Sequence, residues 1–94
     1  MKKADREYLN KLAELGCVAC FIQAGVWGTP GEIHHTRAGQ GMSQRSAHKK
    51  AICLCVGHHR GGVKGKHAIH AEPRRFTQEY GTEQDLLNVT ASNL

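Results

Sequence analysis

The sequence predicts one small domain of the α+β class, in which two short strands lie between flanking helices. The chain has 94 residues, of which 39% are hydrophobic and only 5% aromatic, so it can bury only a thin core. Apolar residues at helical spacing begin the chain, two central segments have the composition of short strands, and helix signals return near the end. No repeat, low-complexity tract or linker divides the sequence. We therefore expect a single domain over residues 1–94.

The N-terminal third is predicted to contain one helix. Over residues 3–15 a tyrosine and three leucines recur at helical spacing, and Gly16 follows as a C-terminal cap. The segment CVAC, residues 17–20, is predicted as a turn. The segment FIQAGVWGTPG after it is predicted as a loop or short hairpin whose tryptophan fills the core.

Two strands and two further helices are predicted in the remainder. GEIHHT and AICLC have the pattern of short strands on either side of a Gly-rich loop, and the glycines of GHHRGGVKGK favour a bend or an irregular helix. C-terminal helices are expected over about residues 73–91. Pro73 begins the first of them, and Thr82 with Asp85 forms a capping-box pattern before the second. The final segment TASNL is predicted to fray.

The charges are distributed unevenly along the chain. The net charge is +5, with 13 Lys and Arg against 8 Asp and Glu. Between His34 and Arg75 the only acid is Glu72, whereas most of the bases lie there: Arg37, Arg45, Lys49, Lys50, Arg60, Lys64, Lys66, Arg74 and Arg75. Such a composition is typical of a surface that faces phosphate, although a solvated charged face is the alternative for a charge run by itself.

The N-terminal sequence favours a protein of the cytoplasm. MKKADREYLNKLAEL is charged and amphipathic and lacks the apolar core of a signal peptide. No stretch approaches the roughly 20 apolar residues that a membrane span needs. We therefore expect a soluble chain whose thiols stay reduced, in which four cysteines favour a metal site over disulfides.

Two ligand pairs predict a structural zinc site. Cys17 and Cys20 form a CxxC pair, and Cys55 and His58 form a CxxH pair beyond the two predicted strands. Zinc prefers four nitrogen or sulfur ligands, and a gap of two residues lets both side chains of a pair face one ion. The context of a thioredoxin-like redox pair and the CxxCH of a haem site are both missing. Cys53 is expected to be a small buried hydrophobe outside the site.

Two histidine pairs complete a recognisable pattern. CxxC followed by IHH and by a strand that ends in LCxxHH resembles the HNH, or ββα-metal (His-Me finger), endonuclease superfamily, and within it the phage Ref family of recombination-associated nucleases. The shared motifs are IHH at 33–35, LCVGHH at 54–59, the glycine pair at 61–62, the later His70, RRF at 74–76 and YGT at 80–82. The resemblance covers roughly residues 17–87. It implies a small zinc-stapled ββα-metal core over about residues 31–70 with flanking helices.

By position, the resemblance implies a metal-dependent DNA endonuclease. The ligands of its catalytic divalent metal would be His34, His59 and His70. His35 would be the general base, and the adjacent histidines of a strand are free to take separate roles because they face opposite sides. Three histidines suit Mn²⁺, Co²⁺, Ni²⁺ or Zn²⁺ better than Mg²⁺, which is kept as an alternative.

The sequence departs from the superfamily pattern at one motif residue. The middle Asn of the HNH motif is missing: Lys50 stands at about its place, and His48 is the nearest polar residue that could orient His35. The alternative function is therefore a non-catalytic, zinc-stapled nucleic-acid-binding module. A metallochaperone would explain the ligands but not the central bases.

DNA is the expected partner. Phosphates rather than bases are expected to be contacted, because no segment resembles a recognition helix, and low sequence specificity follows. The residues expected to contact them are Arg37, Arg45, Lys64, Arg74 and Arg75. The long basic N-terminal arm of some Ref proteins has no counterpart here, so a recombinase filament is a candidate partner rather than a required one. The process served would be phage or prophage recombination or DNA processing.

Overall fold

The computed structural model describes residues 2–36 and 50–94. Within these residues the elements are α1 (Lys3–Leu15), α2 (Val18–Ala24), β1 (Glu32–His35), β2 (Ala51–Leu54), α3 (Val56–His59), α4 (Pro73–Tyr80) and α5 (Glu83–Asn93). The predicted α+β class is confirmed. Among the described helices, none has the length and apolar character that a membrane-spanning helix needs.

The first helix has the bounds that its leucine spacing predicts. It buries Leu12 and ends where Gly16 takes a φ of 91°. A Cβ atom at Gly16 would lie 2.7 Å from the backbone nitrogen of Thr29, and L side chains rarely adopt this backbone region. Glycine at this position therefore lets the chain leave α1 and pass close under the following loop.

The prediction of a turn at residues 17–20, with a loop after it, is wrong, because helix α2 begins at Val18. The sulfur of Cys17 accepts a hydrogen bond from the backbone N–H of Cys20 at 3.3 Å and so caps the first turn. The apolar side chains of this turn pack into the core, and tertiary packing of this kind overrides weak helix propensity. The expected loop is therefore confined to the segment after α2.

Trp27, in that segment, packs against the core as predicted. Its ring stacks on Phe21 with centroids 4.3 Å apart.

The two predicted strands form one antiparallel pair. Glu32 pairs with Leu54, and His35 pairs with Ala51. Every residue of β2 is buried, whereas β1 is half-buried and ends on the exposed His35. Because side chains alternate across a strand, Glu32 and His34 share one face of β1. The sheet therefore presents a carboxylate and an imidazole side by side.

The C-terminal helices close the core. Helix α4 begins at Pro73, as predicted, and buries Phe76 and Tyr80. Helix α5 begins with the predicted capping box, in which Thr82 and Asp85 exchange hydrogen bonds of 2.9 and 3.1 Å. The core cluster thus contains side chains of α2, β2, α4 and α5 and of the N-cap residues of α2 and α3: Cys17, Val18, Ala19, Cys20, Ile52, Leu54, Cys55, Phe76, Tyr80 and Leu86.

The prediction that the last five residues fray is wrong. Helix α5 continues to Asn93, whose side-chain amide donates to the carbonyl oxygen of Val89 at 2.8 Å. Thr90 is buried, so its contacts hold the last turn against the core. Burial of one side chain and a side-chain bond to the helix end account for the additional helical turn.

Replacement of the α5 cap is expected to weaken the fold measurably. Thr82→Ala removes the oxygen that accepts from the Asp85 N–H, and loss of such a cap costs about 1 kcal/mol of the free energy of unfolding. Urea denaturation of the zinc-loaded protein measures this loss. Thr77→Ala, the same change at an exposed position within α4, is the control and should not be less stable than the parent. An unchanged midpoint in Thr82→Ala would contradict the role of the cap.

Candidate functional site

Four predicted ligands converge in the core. Cys17, Cys20, Cys55 and His58 are all buried, and one ligand atom from each lies within 4.8 Å of the others. The sulfurs of Cys20 and Cys55 are 3.7 Å apart, and the Nδ1 atom of His58 lies 3.2 to 3.5 Å from the three sulfurs. Tetrahedral zinc would separate two sulfur ligands by about 3.8 Å. The cluster, referred to below as the Cys3His cluster, could therefore hold the predicted structural zinc.

Burial sets the protonation of these ligands in the absence of an ion. It raises the pKa of Cys17 to about 12. Burial, together with the positive charge of Lys66, lowers the pKa of His58 to about 4, which keeps this imidazole neutral. Burial also opposes ionisation of Cys55, but hydrogen bonds from the His58 backbone and from Lys66 outweigh it and lower the pKa of that thiol.

Lys66 lies directly over the cluster. Its ammonium group is 3.3 Å from the sulfur of Cys55 and 3.6 Å from that of Cys20. A zinc ion with three thiolates and one neutral imidazole carries one net negative charge, which this ammonium group offsets. No sequence signal distinguished Lys66 from the other bases around it.

Gln23 orients the single histidine of the cluster. Its side-chain NH₂ donates to the carbonyl oxygen of Gly65 at 2.9 Å, so its Oε1 atom is left to face Nε2 of His58 at 2.8 Å. That oxygen can only accept, so Nε2 of His58 carries the hydrogen and Nδ1 presents its lone pair to the sulfurs. The sequence did not reveal this contact, because it depends on how α2 packs against the loop after α3.

Cys53 lies outside the Cys3His cluster, as predicted. It is buried within β2, opposite Ile33. Burial raises its pKa to about 11. It therefore behaves as a small apolar side chain of the core.

A second cluster, referred to below as the histidine cluster, contains His34, His59 and His70. These residues come from β1, from α3 and from the segment before α4. The Nε2 atom of His59 is 3.3 Å from Nδ1 of His34 and 3.0 Å from Nε2 of His70. Nitrogen ligands of one metal ion lie about 3 to 3.4 Å apart. The cluster is half-buried and opens to solvent at His70, so it could hold an ion that keeps free positions.

Two carboxylates contact the outer nitrogens of this cluster. Oε1 of Glu32 is 2.9 Å from Nδ1 of His59, and Oε2 of Glu83 is 2.7 Å from Nε2 of His34. Arg60 also contacts Glu32, at 2.6 Å. Burial lowers the pKa of His34, and the contact with Glu83 partly opposes this shift. Neither carboxylate was predicted, although Glu32 could have been, because it lies two residues before His34 on the same strand face.

The expected general base, His35, is exposed at the end of β1 and is not a member of the histidine cluster. Its neighbour Thr36 is buried and donates both its backbone N–H and its hydroxyl to the carbonyl oxygen of Lys50, at 2.9 and 2.6 Å. The backbone after His35 is thereby tied to the start of β2. His48, the expected orienting residue, lies outside the described residues.

The expected DNA contacts are partly within the described residues. Lys64, Arg74 and Arg75 are exposed, and Arg75 donates to Glu79 at 3.1 Å. Arg37 and Arg45 lie outside the residues that the structure describes. Pro73, at the start of α4, borders a cavity of about 360 Å³ that His34, His70 and Glu83 also line. The two arginines of α4 thus follow a residue at the edge of the histidine cluster.

Removal of the Gln23 amide should weaken zinc binding without removing a ligand. In Gln23→Ala the Nε2 hydrogen of His58 loses its acceptor, and the loss of such a partner typically lowers metal affinity about 10-fold to 100-fold. Competition with a chromophoric chelator measures this change. Gln78→Ala, at an exposed position on α4, is the matched control. Equal zinc affinities in the two variants would contradict the orienting role of Gln23.

Comparison with known proteins identifies the family. No curated protein matches the chain. The family model described as "Recombination enhancement, RecA-dependent nuclease" matches residues 2–94. This match confirms the resemblance to the Ref family that the histidine and cysteine motifs indicate. Because it covers nearly the whole sequence, the chain belongs to the family of recombination-enhancement, RecA-dependent nucleases.

Proposed function

We propose that this chain is an HNH-type, metal-dependent endonuclease that hydrolyses DNA phosphodiester bonds with low sequence specificity in phage or prophage recombination or DNA processing. One observation carries the proposal: the ring nitrogens of His34, His59 and His70 converge from three separate segments on a partly exposed part of the surface. Family membership supports a nuclease role in recombination. The histidine cluster supplies the metal ligands that hydrolysis of a phosphodiester can use.

The donor set of the histidine cluster indicates which ions suit it. Three imidazoles favour Mn²⁺, Co²⁺, Ni²⁺ or Zn²⁺ over Mg²⁺, which prefers oxygen ligands. Such an ion, when bound, supplies a Lewis acid that stabilises negative charge on the phosphate oxygens. The task of the three side chains is to present neutral ring nitrogens towards a common point, and His70, the exposed member, leaves that point open to solvent.

His35 is the proposed general base. Histidine titrates near neutral pH, so an imidazole can be unprotonated before attack and still accept a proton from water during it. It follows His34 on β1, and the two bonds from Thr36 to Lys50 support a fixed backbone at that point. We propose that this bracing serves in place of the missing Asn, together with a contribution from His48.

The proposed DNA contacts with described positions are Arg74, Arg75 and Lys64. Arg74 and Arg75 follow Pro73, which borders the cavity beside the histidine cluster, and Lys64 is exposed on the loop after α3. Arg37 and Arg45 are proposed to extend this set. These side chains would position the DNA backbone rather than read bases. The family description makes a RecA filament on DNA a proposed partner.

Loss of His35 should slow cleavage strongly while leaving the fold and both clusters intact. We expect His35→Ala to nick supercoiled plasmid about 10²-fold to 10⁴-fold more slowly than the parent, because a positioned general base contributes about that factor. Each protein is assayed with a panel of divalent ions after its zinc content is measured. His67→Ala is the matched control, because His67 pairs with Glu72 at 3.0 Å and lies outside the histidine cluster.

Two results would contradict this assignment. Equal rates for His35→Ala and the parent would exclude His35 as the base. Absence of nicking by the parent with every ion, on naked plasmid and on DNA that carries a RecA filament, would favour the alternative function, a non-catalytic nucleic-acid-binding module. Retained DNA binding with a steep salt dependence would then support that alternative.

The arginine pair of α4 offers a test of the DNA-contacting surface. Arg74→Ala should weaken binding about equally for different DNA sequences and reduce the slope of log affinity against log salt by about 1, because one phosphate contact is lost. Fluorescence anisotropy at several salt concentrations measures both quantities. Lys11→Ala, an equivalent loss of charge on α1, is the control. An unchanged slope in Arg74→Ala would remove this residue from the proposed surface.

A further inference from the structure

Glu83 connects the histidine cluster to a part of the chain that is distant in sequence. This residue is 49 positions away from His34 in sequence, yet its Oε2 atom lies 2.7 Å from Nε2 of His34. The other ring nitrogen of His34, Nδ1, faces Nε2 of His59 at 3.3 Å. The two nitrogens of the His34 ring therefore face different kinds of partner.

The carboxylate determines which nitrogen of His34 is available to a metal. An ionised carboxylate accepts hydrogen bonds and cannot donate them, so Nε2 of His34 must carry the hydrogen of this contact. A neutral imidazole with a hydrogen on Nε2 has its lone pair on Nδ1. That is the atom which points towards His59 and the centre of the histidine cluster.

Glu83 is held in place by the fold. It is the first residue of α5 and lies within the capping box, between Thr82 and Asp85, and Leu86, three residues further on, is fully buried. Its side chain is 26% exposed and that of His34 is 11% exposed. The contact is thus made between a rigid helix start and a strand, and not between two mobile surface chains.

We infer that Glu83 is a positioning residue: it fixes the orientation and tautomer of His34 and thereby sets the affinity of the histidine cluster for its metal. This inference rests on the proposed function, since it requires that the histidine cluster binds an ion. Glu32 makes a comparable contact with His59, but it lies on the same strand as His34 and also binds Arg60. Glu83 instead couples the C-terminal helix to the metal site.

The inference predicts a defect in metal affinity. In Glu83→Ala the zinc-loaded protein should bind Co²⁺ at the histidine cluster about 10-fold to 100-fold more weakly, which is typical when a histidine ligand loses its carboxylate partner. Glu83→Gln, in which an amide oxygen can still accept the hydrogen bond, should show a smaller loss. The d–d absorption of Co²⁺ during titration measures the affinity directly.

A control and a rescue separate positioning from general destabilisation. Gln84→Ala changes the neighbouring residue of α5, whose side chain contacts Asn88 at 3.0 Å and lies outside the cluster, and it should bind Co²⁺ like the parent. The zinc content and circular dichroism of all variants should match. Nicking by Glu83→Ala should fall at limiting metal and recover at saturating metal, which a structural defect would not produce.

The outcomes distinguish this inference from the proposed function. If the parent binds Co²⁺ at the cluster and both Glu83 variants bind it equally well, the inference is overturned and the proposed function stands. If the parent binds no Co²⁺ beyond the zinc site, the metal-dependent function and the inference fail together. If Glu83→Ala does not fold, Glu83→Gln decides: weaker binding supports the inference, and unchanged binding overturns it.

Discussion

The buried convergence of Cys17, Cys20, Cys55 and His58 is the constraint on which the rest of the structure depends. It joins the start of α2 to α3 across 35 residues, from Cys20 to Cys55, and its cysteines are part of the hydrophobic core. A chain of this size has little apolar surface to bury, so small domains commonly depend on a metal or a disulfide. Cys17, Cys20 and Cys55 are free thiols whose sulfurs lie close together with Nδ1 of His58, an arrangement that favours an ion over a covalent bridge.

The two clusters are linked through adjacent residues of α3. Successive residues of a helix are about 100° apart around its axis, so His58 can face the core while His59 faces β1. Binding of His58 in the Cys3His cluster therefore also fixes the direction of His59, which meets His34 and His70 at the surface. On this account the Cys3His cluster takes no part in the chemistry but sets the geometry of the histidine cluster. Helix α5 also positions the histidine cluster, through the contact of Glu83 with His34.

The members of the two clusters were predictable from the sequence, but the side chains that contact them were not. CxxC and CxxH spacing restricts side chains locally, and the IHH and LCxxHH motifs carried the family resemblance that named the histidine cluster. Gln23, Lys66 and Glu83 act across element boundaries, and their contacts depend on how helices pack. Dependence on tertiary packing also explains the wrong predictions at α2 and at the end of α5. In both places, burial of side chains, apolar ones in α2 and Thr90 in α5, overrides weak helix propensity.

The most direct test of the central claim is anomalous X-ray diffraction from crystals of the zinc-loaded protein soaked in Co²⁺, recorded at the zinc and cobalt absorption edges. The account predicts two peaks in each chain: zinc between the three cysteine sulfurs and His58, and cobalt between His34, His59 and His70. A single zinc peak, with the three histidine rings in place and no cobalt between them, would contradict the claim that this chain has a second, open metal site.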